Sequence, residues 1–77
     1  MKIQDKIIHL ISWLSGVPSA RILPSTHIKD DLSIDSIDFA LMIVEIEKFF
    51  QIELSYKAIE SIETVQDATV TVQRYAK

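Results

Sequence analysis

The chain contains no cysteine, a single glycine (Gly16) and only two prolines, Pro18 and Pro24. Without cysteine it can form neither a disulfide nor a zinc–thiolate site. That absence fits a reducing compartment, so a cytoplasmic location is expected. So little glycine and proline excludes collagen-like, linker-like and low-complexity chains. No cluster of Lys and Arg is present that could track a phosphate backbone, and the formal charge is −3, which argues against nucleic acid as a partner. No apolar run approaches the length of a membrane span.

What remains is a chain of 77 residues, 48% apolar and 25% charged, the composition of a compact, helix-rich globule. It is expected to be one domain over residues 1–77 and a monomer, with a stability on the order of 5 kcal/mol. A mildly acidic surface suits basic docking patches on partners. Lys2 and Lys6 before the apolar stretch 7–17 superficially resemble a signal peptide. His9, Ser12 and Trp13 interrupt that stretch, however, and its apolar residues share one helical face.

Ile3, Ile7, Leu10, Ile11 and Leu14 recur at steps of three and four, which predicts an amphipathic first helix ending at Gly16. Trp13 lies beside this stripe and is expected to cover the adjoining loop. Residues 17–34 show no sustained period and read as a long connection anchored by Ile22, Leu23, Ile28 and Leu32. Connections of this length in small domains tend to be functional or to carry packing of their own. A second helix should run from Asp35–Ser36 to about Phe50, with Asp35 capping its first turn and Asp38 placed like the acidic half of a capping box. A short helical turn is expected around 56–60 after Ser55. The last helix should start at Thr64 with Asp67 three residues on, and Val65, Ala68, Val72 and Tyr75 or Ala76 give it an apolar face. Alternation at Ile52, Leu54 and Tyr56, and the β-branched run 68–73, leave a two-stranded variant open.

The second helix is apolar on two opposite sides. At 100° per residue, Phe39, Met42, Ile43, Ile46, Phe49 and Phe50 form the wider stripe, expected to face the core. Ile37, Leu41 and Val44, with Ala40 at the margin, form the other, flanked by Asp38, Glu45 and Glu47. A small bundle buries one broad face of most helices, so this second stripe is a candidate docking surface. The pattern also fits a central helix covered on both sides.

Residues 30–38 read D-D-L-S-I-D-S-I-D. They are followed by E-I-E-K-F-F-Q-I-E-L at 45–54 and T-V-Q-D-A at 64–68. In that order and spacing, the three motifs resemble the acyl carrier proteins, whose second helix opens on D-D-L-G-x-D-S-L-D. The resemblance covers essentially the whole chain. It implies an all-α, antiparallel four-helix bundle with three main helices, one short helix and a long loop between the first and second. It implies that Ser36 is esterified by 4′-phosphopantetheine, donated from coenzyme A by a phosphopantetheinyl transferase. The arm's thiol, which a chain without cysteine must import, would carry acyl cargo as a thioester between acyl-transferring and chain-modifying synthase enzymes. By the same resemblance, Asp35 contributes to recognition by the transferase, Asp38 belongs to its docking surface, and Met42, Ile46 and Ile62 line a space for an acyl chain.

Two positions depart from the family pattern. Ser33 stands where glycine is usual, at a cost of about 1 kcal/mol if that residue is left-handed. Leu41 and Lys48 occupy positions that are commonly acidic in fatty-acid carriers. Both a fatty-acid pathway and a specialised lipid or polyketide-type pathway therefore stay open. A peptidyl or aminoacyl carrier would use the same arm. An unmodified helical adaptor would use only the Ile37, Leu41 and Val44 face.

Other chemistry fits less well. Asp31, Ser33 and Asp35 alternate like the start of an EF-hand, but that loop needs Gly at the place of Ser36 and Glu at that of Met42. Ser36 as an enzymatic nucleophile would need a base and an oxyanion site, and the chain has only His9 and His27 and no G-x-S-x-G. Catalysis is not expected.

Overall fold

The computed structural model describes residues 2–76. Its first helix, α1 (Ile3–Ser15), stops where the sequence predicts. Gly16 takes a left-handed conformation with φ 76°, and its N–H donates to the Ser12 carbonyl at 2.9 Å. Nothing lies within 4 Å of where a Cβ would stand, so conformation rather than space calls for glycine here. After a single 3₁₀ turn (Ser19–Arg21), the chain forms α2 (Ile28–Leu32), α3 (Ser36–Phe50), α4 (Tyr56–Glu60) and α5 (Val65–Tyr75).

The described residues are thus all-α, with five helices rather than four. The addition is α2, a five-residue turn within the long connection, too short to display a period of its own. Its Ile28 is buried and its Leu32 half-buried, one turn apart, so this turn sets both on its core side. No strand is present among the described residues; the β-branched run 68–73 lies inside α5. Thr69 is accommodated there because its hydroxyl donates to the Val65 carbonyl at 3.0 Å.

One core joins Ile7 and Ile11 of α1, Phe39, Met42, Ile43 and Ile46 of α3, and Val65, Ala68 and Val72 of α5. Ile22, Ile28, Ile34, Leu54 and Ile62 close it from the connections. Two expected roles, Leu23 as a core anchor and Trp13 as cover for the adjoining loop, are not met. Leu23 is exposed; its backbone brackets Thr26 instead, donating to Oγ1 at 2.9 Å and accepting the Thr26 N–H at 3.0 Å. Trp13 is 74% exposed and covers no loop, since its angle on α1 points away from the packed side.

The long connection is held by backbone bonds to the start of α5. Ile28 N–H donates to the Glu63 carbonyl at 2.9 Å, Val65 N–H to Thr26 at 3.1 Å and Gln66 N–H to Pro24 at 2.9 Å. This pairing sets where α2 lies, and α2 in turn delivers the chain to α3.

Candidate functional site

Between α2 and α3 the chain turns through a left-handed residue. Ser33 caps α2 with φ 54° and ψ 37°, a left-handed conformation that strains any residue with a Cβ. Ile34 then returns to the core, and Asp35 takes the extended conformation of an N-cap. The Asp35 carboxylate accepts the Asp38 N–H at 2.8 Å, and its carbonyl accepts the Phe39 N–H at 2.9 Å. Buried Ile34 and Phe39 pin the chain on both sides of Ser36, which is left exposed as the first helical residue. Lys29 reinforces the junction, with its ammonium 4.6 Å from the centre of the Phe39 ring.

The N–H groups of Ser36 and Ile37 find no acceptor among the described residues. Two open donors at the positive end of a fifteen-residue helix, beside an exposed hydroxyl, can receive an anionic oxygen. The sequence suggested a capping box here, but only Asp35 makes its half of one. The Asp38 side chain does not reach back and stays at the half-exposed rim.

Along α3, the second apolar stripe is open. Ile37 is 72% exposed, Leu41 49% and Val44 45%, with Ala40 and Lys48 exposed among them. The opposite stripe is buried as far as Ile46, but Phe49 is 53% exposed. It lies at the edge of its stripe, where α1 presents Lys6 beside Leu10, and the Lys6 ammonium sits 4.1 Å from its ring centre.

Glu45 stands half-buried at the border of the open stripe. Glu47 is turned elsewhere: its carboxylate accepts the Leu54 N–H at 2.9 Å, while its carbonyl accepts from Gln51 and Ile52. Glu47 therefore fastens the loop after α3 and is not a free carboxylate of the docking stripe. Sequence reasoning had only its helical angle, which does not reveal a loop folding back over it.

Met42 and Ile46 are fully buried, and Ile62 belongs to the same core. Ile62 reaches solvent at a polar groove between α2 and the α4–α5 junction, shared with His27, Lys29, Asp30, Glu60 and Glu63. His9 and His27 are both exposed, and neither bonds to Ser36. His27 Nδ1 lies 3.9 Å from Asp31, whose carboxylate also accepts the His27 N–H. One structural tie escaped the sequence reading altogether. The Tyr75 hydroxyl donates to Ser55 Oγ at 3.2 Å and so links the end of α5 to the cap of α4.

Comparison with known proteins bears directly on this geometry. The family model described as the phosphopantetheine attachment site matches residues 5–69. The acyl carrier protein of Onion yellows phytoplasma (strain OY-M) is 36% identical over 63 residues, covering 82% of this chain and 83% of its own. That of Solidesulfovibrio magneticus is 31% identical over 74 residues, covering 96% and 95%. Among solved structures, the acyl carrier protein of Enterococcus faecalis superposes with a TM-score of 0.77 at 26% identity, covering 99% of this chain and all of that one.

Proposed function

Because the chain belongs to the phosphopantetheine attachment-site family, together with the acyl carrier proteins, we propose that Ser36 bears the arm and that residues 1–77 act as one carrier domain. Members of this family are carriers, not catalysts. The reading rests on one observation above all, an exposed Ser36 at the first position of α3 beside two N–H groups without acceptors.

The residues present fit a phosphodiester. The open N–H groups of Ser36 and Ile37 are aimed past the helix end, and the helix dipole favours negative charge there. On loading, Ser36 Oγ would become the ester oxygen on the phosphate transferred from coenzyme A, its proton passing to a base of the transferase and adenosine bisphosphate leaving. Asp35 holds the first turn through its bond to Asp38 N–H, so the hydroxyl is offered from a fixed frame. When bound, the arm supplies the thiol on which an acyl group is held as a thioester. The chain's own part is then to display the site and to limit diffusion, which raises the effective concentration of cargo for each enzyme.

Partner enzymes would dock on Ile37, Leu41 and Val44, with Asp35, Asp38 and Glu45 at the rim. An apolar centre within a polar border is the anatomy of a transient interface. The phosphopantetheinyl transferase and the enzymes of a fatty-acid or specialised lipid pathway would share this face, in the cytoplasm and with a monomeric carrier. The greasier α3 supports a dedicated set of partners.

Intact mass tests the assignment. Incubation with coenzyme A and a broad-specificity phosphopantetheinyl transferase should add one arm to the parent protein and none to Ser36→Ala. An unchanged parent mass, or an equal gain in the variant, overturns it.

A further inference from the structure

Resting on that docking reading, we infer that the open face of α3 is electrically polar along its length and takes a partner of matching polarity. The partner presents a cation beside Ser36, an apolar seat over Ile37, Leu41 and Val44, and a carboxylate entering the cleft between Lys6 and Lys48.

Each end of the face has its own charge. At the start of α3, Asp35 is exposed and Asp38 half-exposed, and α2 adds exposed Asp30 and Asp31. At the far end, Lys48 of α3 and Lys6 of α1 line one surface cleft with Leu10, Phe49 and Glu45. Glu47 lies on the other side of α3 from Phe49 and is held by the Leu54 N–H, so Glu45 is the one carboxylate lining the cleft. The only ion pair among the described residues joins His27 and Asp31, so both ammonium groups stand without a carboxylate within ion-pair distance. Glu45 softens the cleft but leaves an excess of positive charge.

The helix dipole accounts for one cation in the last turn of α3. It does not account for Lys6, which arrives from another helix and sits over the Phe49 ring. Two cations lining one cleft beside an exposed aromatic ring make a place where an acidic side chain would be held by charge. At 1.5 Å per residue, Ser36 and Lys48 are about 18 Å apart, within the span of one ordinary interface. A partner whose patch is basic throughout would meet like charge at the far end, which penalises the wrong partner more than it strengthens the right one.

The test begins with the loaded protein. A chain that gains no arm by mass overturns the carrier reading before docking is measured. The loaded chain is then offered to a carrier-loading acyltransferase whose docking patch is basic throughout, and to the same enzyme with the basic residue facing position 48 changed to Glu. With the basic enzyme, Lys48→Glu should raise kcat/KM about tenfold through KM, with kcat unchanged. The Glu-bearing enzyme should prefer the parent by a similar factor, and both differences should shrink at about 0.5 M salt. Lys48→Gln, which keeps the stem and removes the charge, should fall between. No gain for Lys48→Glu with the basic enzyme, or a change in kcat instead of KM, overturns the inference while leaving the carrier reading intact. A concentration-dependent dimer in sedimentation that Lys48→Glu dissolves would assign the face to a second copy, and also overturns it.

Discussion

The starts of α3 and α5 follow one local rule, a polar cap with Asp three residues later, and they end in opposite states. At α5 every donor is engaged. Thr64 Oγ1 accepts the Asp67 N–H at 3.0 Å, and the Asp67 carboxylate accepts from Thr64 and Glu63. The N–H groups of Val65 and Gln66 reach the carbonyls of Thr26 and Pro24. At α3 the corresponding N–H groups, of Ser36 and Ile37, point at solvent. Val65, the first residue of α5, is fully buried, whereas Ser36, the first of α3, is exposed. A cap motif therefore does not tell a sealed helix start from an open one. What distinguishes them is whether another segment crosses the helix end and uses its donors.

The largest test of this contrast exchanges the two first residues. Val65→Ser places a hydroxyl in the core and should cost about 3 kcal/mol, read as a shifted urea midpoint. Ser36→Val should move that midpoint by no more than about 0.5 kcal/mol while abolishing arm attachment. Comparable losses at both sites would mean that the two helix ends are structurally alike.

A smaller effect separates the two aspartates. The Asp67 carboxyl is held below its ordinary value of 3.8, chiefly because the Thr64 backbone N–H donates to it, and then that of Glu63. A lowered native pKa contributes stability that is present above the unfolded value and lost as pH falls through the native one. Asp67→Asn should accordingly lower stability near neutral pH, and the gap to the parent should close on acidification below the ordinary carboxylate range. Asp38→Asn, whose side chain caps nothing, should stay within about 0.5 kcal/mol of the parent. A pH-independent gap at Asp67 would show that its charge is not the source.

The gentlest change concerns the approach to α3. Ser33→Gly relieves a left-handed residue with a Cβ and should add up to about 1 kcal/mol in thermal or urea unfolding. An equal loss would mean that the freedom glycine gives the unfolded chain outweighs the strain.

Helix ends were the most legible part of this chain, because capping is written within four residues. Gly16, Asp35, Ser55 and Thr64 each end or start a helix as their types suggest. The family was legible too, carried by three motifs in order. Properties that depend on a second segment were not. Phe49 has a core-facing angle, yet its neighbour across the groove is Lys6. Glu47 looks like a surface acid until the loop at Leu54 folds onto it. Thr26 gave no periodic signal, yet it is buried and its carbonyl receives Val65. Ile34 shares that fate, a lone apolar residue in a loop whose burial follows from the turn at Ser33.

The stitching of residues 24–28 to 63–66 also bears on the order in which the molecule matures. Chains are synthesised from the N-terminus, and contacts between distant segments form only after both exist. Ser36 therefore emerges from a ribosome well before the strip of backbone that positions its approach. A nascent chain would show the serine without the frame that presents it, so an enzyme that reads the frame as well as the residue would act only on finished molecules.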